Sequence, residues 1–322
     1  VDYTSKDYYA LREELIARIQ DRIPEWTASD PADFGVALVE AFAYLGDLIC
    51  YYIDRNANEA SIFTATQRQS VLSIAQTYGY VPAGYRQAFT TIQFSNASDA
   101  IVTIPAGTVV SGDLVVNDTV QTIYFTTVSD ISIDVQVDET PGVNTMTAFE
   151  GRSVLLVSDN VTTNGELIGT STGLPDMVFE LGETPVVDSS IEIYVQNGDV
   201  FSKWTRVQHI LDYGPTDQVF AVFLDENDTV RISFGDGVSG AIPTPYSEIR
   251  AKYTVGGGAI GNVIAGVIDT ISYVPGLSES QTIALQGDIS VTNTAVGIGG
   301  SNPETTDEIR LAAPLSLRAN NR

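Results

Sequence analysis

The chain has 322 residues, of which 43% are hydrophobic; Lys and Arg number 16 against 41 Asp and Glu, a formal net charge of −25. That balance argues against nucleic acid and against an anionic membrane surface, since both need surplus cations on the protein. One cysteine, Cys50, allows no intrachain disulfide, and with a single histidine, His209, a His/Cys zinc site is nearly excluded.

The opening residues VDYTSKDYY carry no basic n-region and no apolar h-region, so no signal peptide is read and a cytoplasmic origin is expected. Thr4 or Ser5 is the expected cap of a first helix, with Tyr8, Leu11, Leu15, Ile19 and Ile23 at helical spacing and Pro24 ending it. Residues 29–53 follow, apolar for about the length of a membrane span. Glu40 and Asp47 interrupt that stretch, which a lipid-facing helix tolerates poorly. Asp30 or Ser29 is the expected cap, with Pro31 in the first turn of a helix over 31–54. Phe34, Leu38, Phe42, Leu45, Ile49 and Ile53 fall on one face, and Val36, Val39, Ala43 and Tyr51 surround them. A helix apolar nearly all round must be covered by other helices, so this one predicts an interface in a helical bundle. Glu40 and Asp47 then need partners among Arg12, Arg18, Arg22, Arg55 and Arg68. Structural pairing is favoured over a role as register charges between subunits.

A third helix is expected from Thr64, where Thr64 and Gln67 have capping-box spacing, with core face Val71, Leu72, Ala75 and Tyr78 and a stop at Gly79. After Pro82 the pattern changes to short β-branched runs between turn residues: 90–94, 100–104, 123–127, 131–137, 191–195, 219–224, 229–234 and 249–255. Such runs predict antiparallel sheet. A helix returns at 306–313, with Thr305 and Glu308 at capping-box spacing. The fold class is therefore α+β. The expected division is a helical, bundle-forming segment at 1–87, a β domain at 88–157, a loop or hinge at 158–176, a second β domain at 177–298, and a short helix at 299–322 leading to a further C-terminal region.

The sequence carries little that points to chemistry. Gly256, Gly258 and Gly261 fit G-x-G-x-x-G, but NVIAGVIDTIS after them is no helix, so a structural turn is preferred to a dinucleotide site. FGDGVSG lacks the closing carboxylate of a calcium loop, and a tight hairpin around Gly235 and Gly237 is expected. DENDT at 225–229 is read as an Asx-type turn. No nucleophile accompanies His209. No catalytic, cofactor-binding or metal-ligating residue is assigned, and no cofactor is expected.

Four segments in order carry a family resemblance: SDPADFGVALVEAFAYLGDLICYYIDRNANEA (29–60) with TATQRQSVLSIAQTYGYVP (64–82); GELIGTSTGLPDMVFEL (165–181); FGDGVSGAIP (234–243) with YTVGGGAIGNVIAG (253–266); and GGSNPETTDEIRLAAP (299–314). The chain resembles the baseplate J-like proteins, wedge components of contractile phage tails and related injection systems. Residues 61–63, SIF, are less apolar than the family's pattern there, and the insert around 110–122 is individual. The resemblance implies a structural, non-enzymatic virion protein of the tail baseplate, assembled in the host cytoplasm. It would form a ring around the tail hub and relay host contact to the sheath. The implied partners are other wedge subunits and a second copy of itself, with hub, tube and sheath nearby and no nucleic acid or membrane. The rival readings are a host-receptor or glycan-binding tail protein and a cell-wall hydrolase.

Overall fold

Carboxylates set the starts of the first three helices. In the computed structural model, which describes residues 6–27, 30, 32–153 and 165–320, the helices are α1 (Tyr8–Arg22), α2 (Phe34–Glu59), α3 (Arg68–Thr77), α4 (Glu279–Leu285) and α5 (Thr306–Asn320). Asp7, not Thr4 or Ser5, caps α1 by accepting from the Ala10 N–H; Thr4 and Ser5 lie outside the described residues. Ile23 is the C-cap rather than a helical position. Asp33 caps α2, accepting from the Gly35 and Val36 N–H groups, so the helix starts later than expected and runs on to Glu59. Asp30 instead turns the preceding segment by accepting from Ala32, and Ser29 and Pro31 lie outside the described residues. A side-chain oxygen at these positions satisfies N–H groups that have no partner within the helix.

The chain divides into two units, Val1–Tyr80 with Thr305–Arg322, and Val81–Glu304. In the first unit α3 starts at Arg68 behind Gln67, and Thr64 does not cap it; the Thr64 hydroxyl donates to the Asn58 carbonyl. Glu59 from the end of α2 takes over, accepting from the Thr66 N–H, the Thr66 hydroxyl and the Gln67 N–H. The core joins α3 to α5: Ile62, Ala65, Val71, Leu72 and Ala75 bury against Ile309 and Ala313. Arg310 fastens the pair by donating from Nε to the Ile62 carbonyl at 2.9 Å and from Nη2 to the Ala65 carbonyl at 2.6 Å. The Thr305–Glu308 capping box forms as expected, but α5 continues through Pro314 and belongs to the amino-terminal helical unit.

The second unit is β-rich. A six-stranded antiparallel sheet has the order Thr270–Tyr273, Val109–Val116, Thr119–Thr127, Gly142–Glu150, Phe89–Asn96, Ile289–Asn293. Its strands alternate inward and outward, and Ile92, Phe94, Val110, Phe125 and Ala148 form the buried face with Ile268 and Ile271. Both edge strands come from the segment expected to form the second β domain, because antiparallel pairing needs no closeness in sequence. Gln286, just after α4, donates its side-chain amide to the Ile271 carbonyl.

Two four-stranded sheets share a second core. One has the order Val200–Lys203, Glu192–Asn197, Glu248–Lys252, Glu166–Thr170; the other Thr205–Val207, Val219–Leu224, Val230–Phe234, Val178–Glu180. All their pairs are antiparallel except Thr205–Val207 with Val219–Leu224. Trp204 meets Phe234 edge to face at 5.2 Å in that core. Of the expected loop at 158–176, residues 158–164 lie outside the described residues and Glu166–Thr170 is a strand.

Candidate interface

Among the described residues the amino-terminal unit leaves an apolar face of α2 uncovered. Contacts of α1 with α2 run antiparallel. Leu11 fills the space beside Gly46, where a Cβ would come within 2.9 Å of it, and Trp26 closes on Gly35. Across that contact Arg12 Nε donates to Glu40 Oε1 at 3.0 Å. On α2 only Val36, Val39 and Ala43 are buried. Phe34, Leu38, Phe42, Leu45, Ile49 and Ile53 are all exposed, from 44% at Leu38 to 77% at Phe34. Their spacing of three and four residues makes a continuous stripe about 28 Å long. Leu48 and Tyr52 widen it, both also exposed. Tyr51 and Tyr52 meet edge to face at 5.7 Å.

Glu40 has its partner, Arg12, within the chain. Asp47, half-buried, makes no ion pair or hydrogen bond among the described residues. Among those residues one helix, α2, is long and apolar enough to cross a membrane by length and composition.

The glycine segments lie in the other unit. Gly237 has φ +83 and Gly240 φ +72, and the Asp236 carboxylate accepts from the Val238 and Ser239 N–H groups, which holds its pKa below the usual range. Gly235 permits a close pass of backbone: a Cβ there would lie 2.3 Å from the Gly240 carbonyl carbon. This turn is tight, but it is no hairpin, since Val230–Phe234 and Glu248–Lys252 belong to different sheets. The 225–229 segment does form the Asx turn between paired strands, with Asp225 accepting from Asn227 and Thr229.

Gly256 and Gly258 have φ +140 and +113, and Gly261 ends a three-residue 3₁₀ turn, so no helix follows that would hold a pyrophosphate. The turn instead wraps Glu150, a buried carboxylate the sequence did not single out. Its two oxygens accept from the Ala88 and Gly257 N–H groups, each at 3.1 Å. A Cβ on Gly261 would lie 2.0 Å from Glu150 Oε2. Burial pushes the Glu150 carboxyl up, against the opposing pull of the two N–H groups. The missed signal was a glutamate ending a β-branched strand directly before Gly151. Among the described residues no group of three or more His, Cys, Asp and Glu is placed to hold a metal ion.

Residues 7–77, the α1–α3 segment, match a family model described as bacteriophage baseplate protein, N-terminal domain. The amino-terminal segment is thus similar to a phage baseplate domain. A solved structure of the anti-feeding prophage (AFP) baseplate, by cryo-EM and 6-fold symmetrised, contains a similar chain. The identity is 12% and the TM-score 0.36, over 96% of this chain and 53% of that one. This chain therefore spans about half the length of that protein. No curated protein matches it.

Proposed function

We propose that the chain is a structural, non-catalytic component of a tail baseplate in a phage or related contractile injection system, and that it serves in the wedge. The observation that carries the reading is the uncovered stripe on α2, which lies in the segment similar to a phage baseplate domain. Each Phe or Leu covered there contributes about 1.5–3 kcal/mol, which is the driving force for docking α2 against helices of sister subunits. In this reading the six stripe residues are the contact surface. The ring they build around the hub relays host contact to the sheath by rearranging its subunit contacts. Docking on protein is favoured over insertion in lipid. A membrane span would carry the Arg12–Glu40 pair and the unpartnered Asp47 into hydrocarbon, where such groups are costly.

The test is incorporation. Phe42→Asp and Leu45→Asp, placed in the full-length protein, are expected to keep their helical circular dichroism and to be missing from purified particles. Particles that contain either variant at the normal level overturn the reading.

A further inference from the structure

We propose that a cleft in the β-rich unit binds an extended, acidic segment of a protein partner. The cleft has a volume of about 730 Å³, within the ~300–1,000 Å³ common for ligand sites. Its walls come from five separate stretches, one of them Gly107 and Val109. Tyr124 and Thr126 stand on the face of the six-stranded sheet opposite its core, Ser272 and Tyr273 belong to an edge strand of that sheet, Arg152 follows the Gly142–Glu150 strand, and Lys252 ends a strand of the neighbouring sheet.

Charge identifies what the cleft accepts. Carboxylates outnumber cations 41 to 16 in this chain, so a cation without a carboxylate is the exception. Lys252 is one: its ammonium makes no ion pair or hydrogen bond among the described residues. The carboxylate that feels its charge, Glu192, is taken by Lys203 at 2.5 Å. Arg152 lies over the Tyr124 ring at 6.0 Å, which fixes its guanidinium in the cleft. Its one carboxylate contact, to Glu183 Oε2 at 3.5 Å, is solvent-exposed on both sides, so most of its five donors remain open. Two cations held in one cleft, with the hydroxyl of Tyr273 beside them, suit carboxylates on a flexible backbone. Arg152 already covers the Tyr124 ring, which leaves Tyr273 as the single aromatic wall on which an acidic saccharide could stack.

The general repulsion from the chain's negative charge acts at long range and is screened within about 8 Å at physiological salt, whereas direct contacts in the cleft, shorter than that length, are screened less. Binding in the cleft is independent of the α2 stripe.

Isothermal titration of the whole chain with hexaglutamate and with hexaglutamine, in about 0.15 M salt, tests it. Hexaglutamate is expected to bind and hexaglutamine to give no heat. Lys252→Gln and Arg152→Gln are each expected to weaken binding by about tenfold, and Lys252→Arg to keep it. Lys252 is exposed and unpaired, so its replacement leaves the fold intact. Leu45→Asp is expected to bind hexaglutamate as the parent chain does, so that cleft and stripe succeed or fail separately. Equal binding of the two peptides, or Lys252→Gln without effect, overturns the proposal. Tighter binding of an oligogalacturonate than of hexaglutamate overturns the choice of a protein segment.

Discussion

At the scale of single residues, Glu150 carries the sharpest expectation. Glu150→Ala removes the acceptors of two buried N–H groups, each worth about 1–3 kcal/mol when left unpaired. The β-rich unit should lose about 2–5 kcal/mol in urea unfolding, read by the buried Trp204 in a Trp26→Phe background. Burial raises the Glu150 carboxyl above its ordinary value, so the folded chain favours the protonated form. The resulting stability is complete below the ordinary carboxyl range and is lost as pH rises through the raised value. As pH rises above the ordinary carboxyl range the parent chain should therefore lose stability relative to Glu150→Gln, which cannot titrate. A parent chain that gains on the variant over that rise contradicts the assignment.

Glu59 works the other way. Hydrogen bonds from the Thr66 hydroxyl and from the N–H groups opening α3 pull its carboxyl down to about 2. Its stability is present above the ordinary carboxyl range and is lost as pH falls toward that value. Glu59→Ala should cost the helical unit about 0.5–2 kcal/mol at neutral pH, the range of a lost N-terminal cap, measured by thermal unfolding followed at 222 nm. Gly258→Val must adopt φ +113 and would press a Cβ to 2.8 Å from Asn302 Oδ1, which accepts from the Ala259 N–H. It should cost about 1–3 kcal/mol. Titration of the parent chain with a dinucleotide should show no binding.

At the scale of elements, α2 separates two kinds of apolar position that composition treats alike. Val39 faces inward and Leu38 outward, although they are adjacent in sequence. Val39→Asp buries a charge without a partner and should unfold the helical unit. Leu38→Asp should leave the isolated chain's melting temperature within a few degrees of the parent's, because a surface change costs about 0.5 kcal/mol or less. A similar loss in both variants, measured by differential scanning calorimetry, would show that Leu38 is covered within the chain. The stripe itself was legible in the sequence from its spacing. The helix starts were less legible, because several capping residues stand close together: Asp30 and Asp33 are both competent, and only packing of Trp26 on Gly35 and the turn at Asp30 shows which one opens the helix.

At the scale of the whole molecule, the β-rich unit is an insertion between α3 and α5. Its two chain ends are paired with each other: Arg86 and Ser301 exchange two backbone hydrogen bonds, and the Glu304 N–H donates to the Ala83 carbonyl. A unit whose ends meet can fold by itself. The 81–304 fragment should give a cooperative urea transition and a buried Trp204 fluorescence spectrum; a non-cooperative transition would show that it depends on the helices.

The sequence by itself determined the α+β class, the switch from helical period to strand period after Pro82, the apolar stripe of α2 and the turn at Asp225, since each follows from spacing or side-chain chemistry within a few residues. Tertiary structure alone decided that the strands Thr270–Tyr273 and Ile289–Asn293 flank the first sheet, that α5 returns to α3, that Glu150 lies under the glycine turn and that Lys252 and Arg152 line one cleft. These are contacts between residues far apart in the chain, and a local pattern says that a strand or a buried face needs a partner without saying which one it will meet.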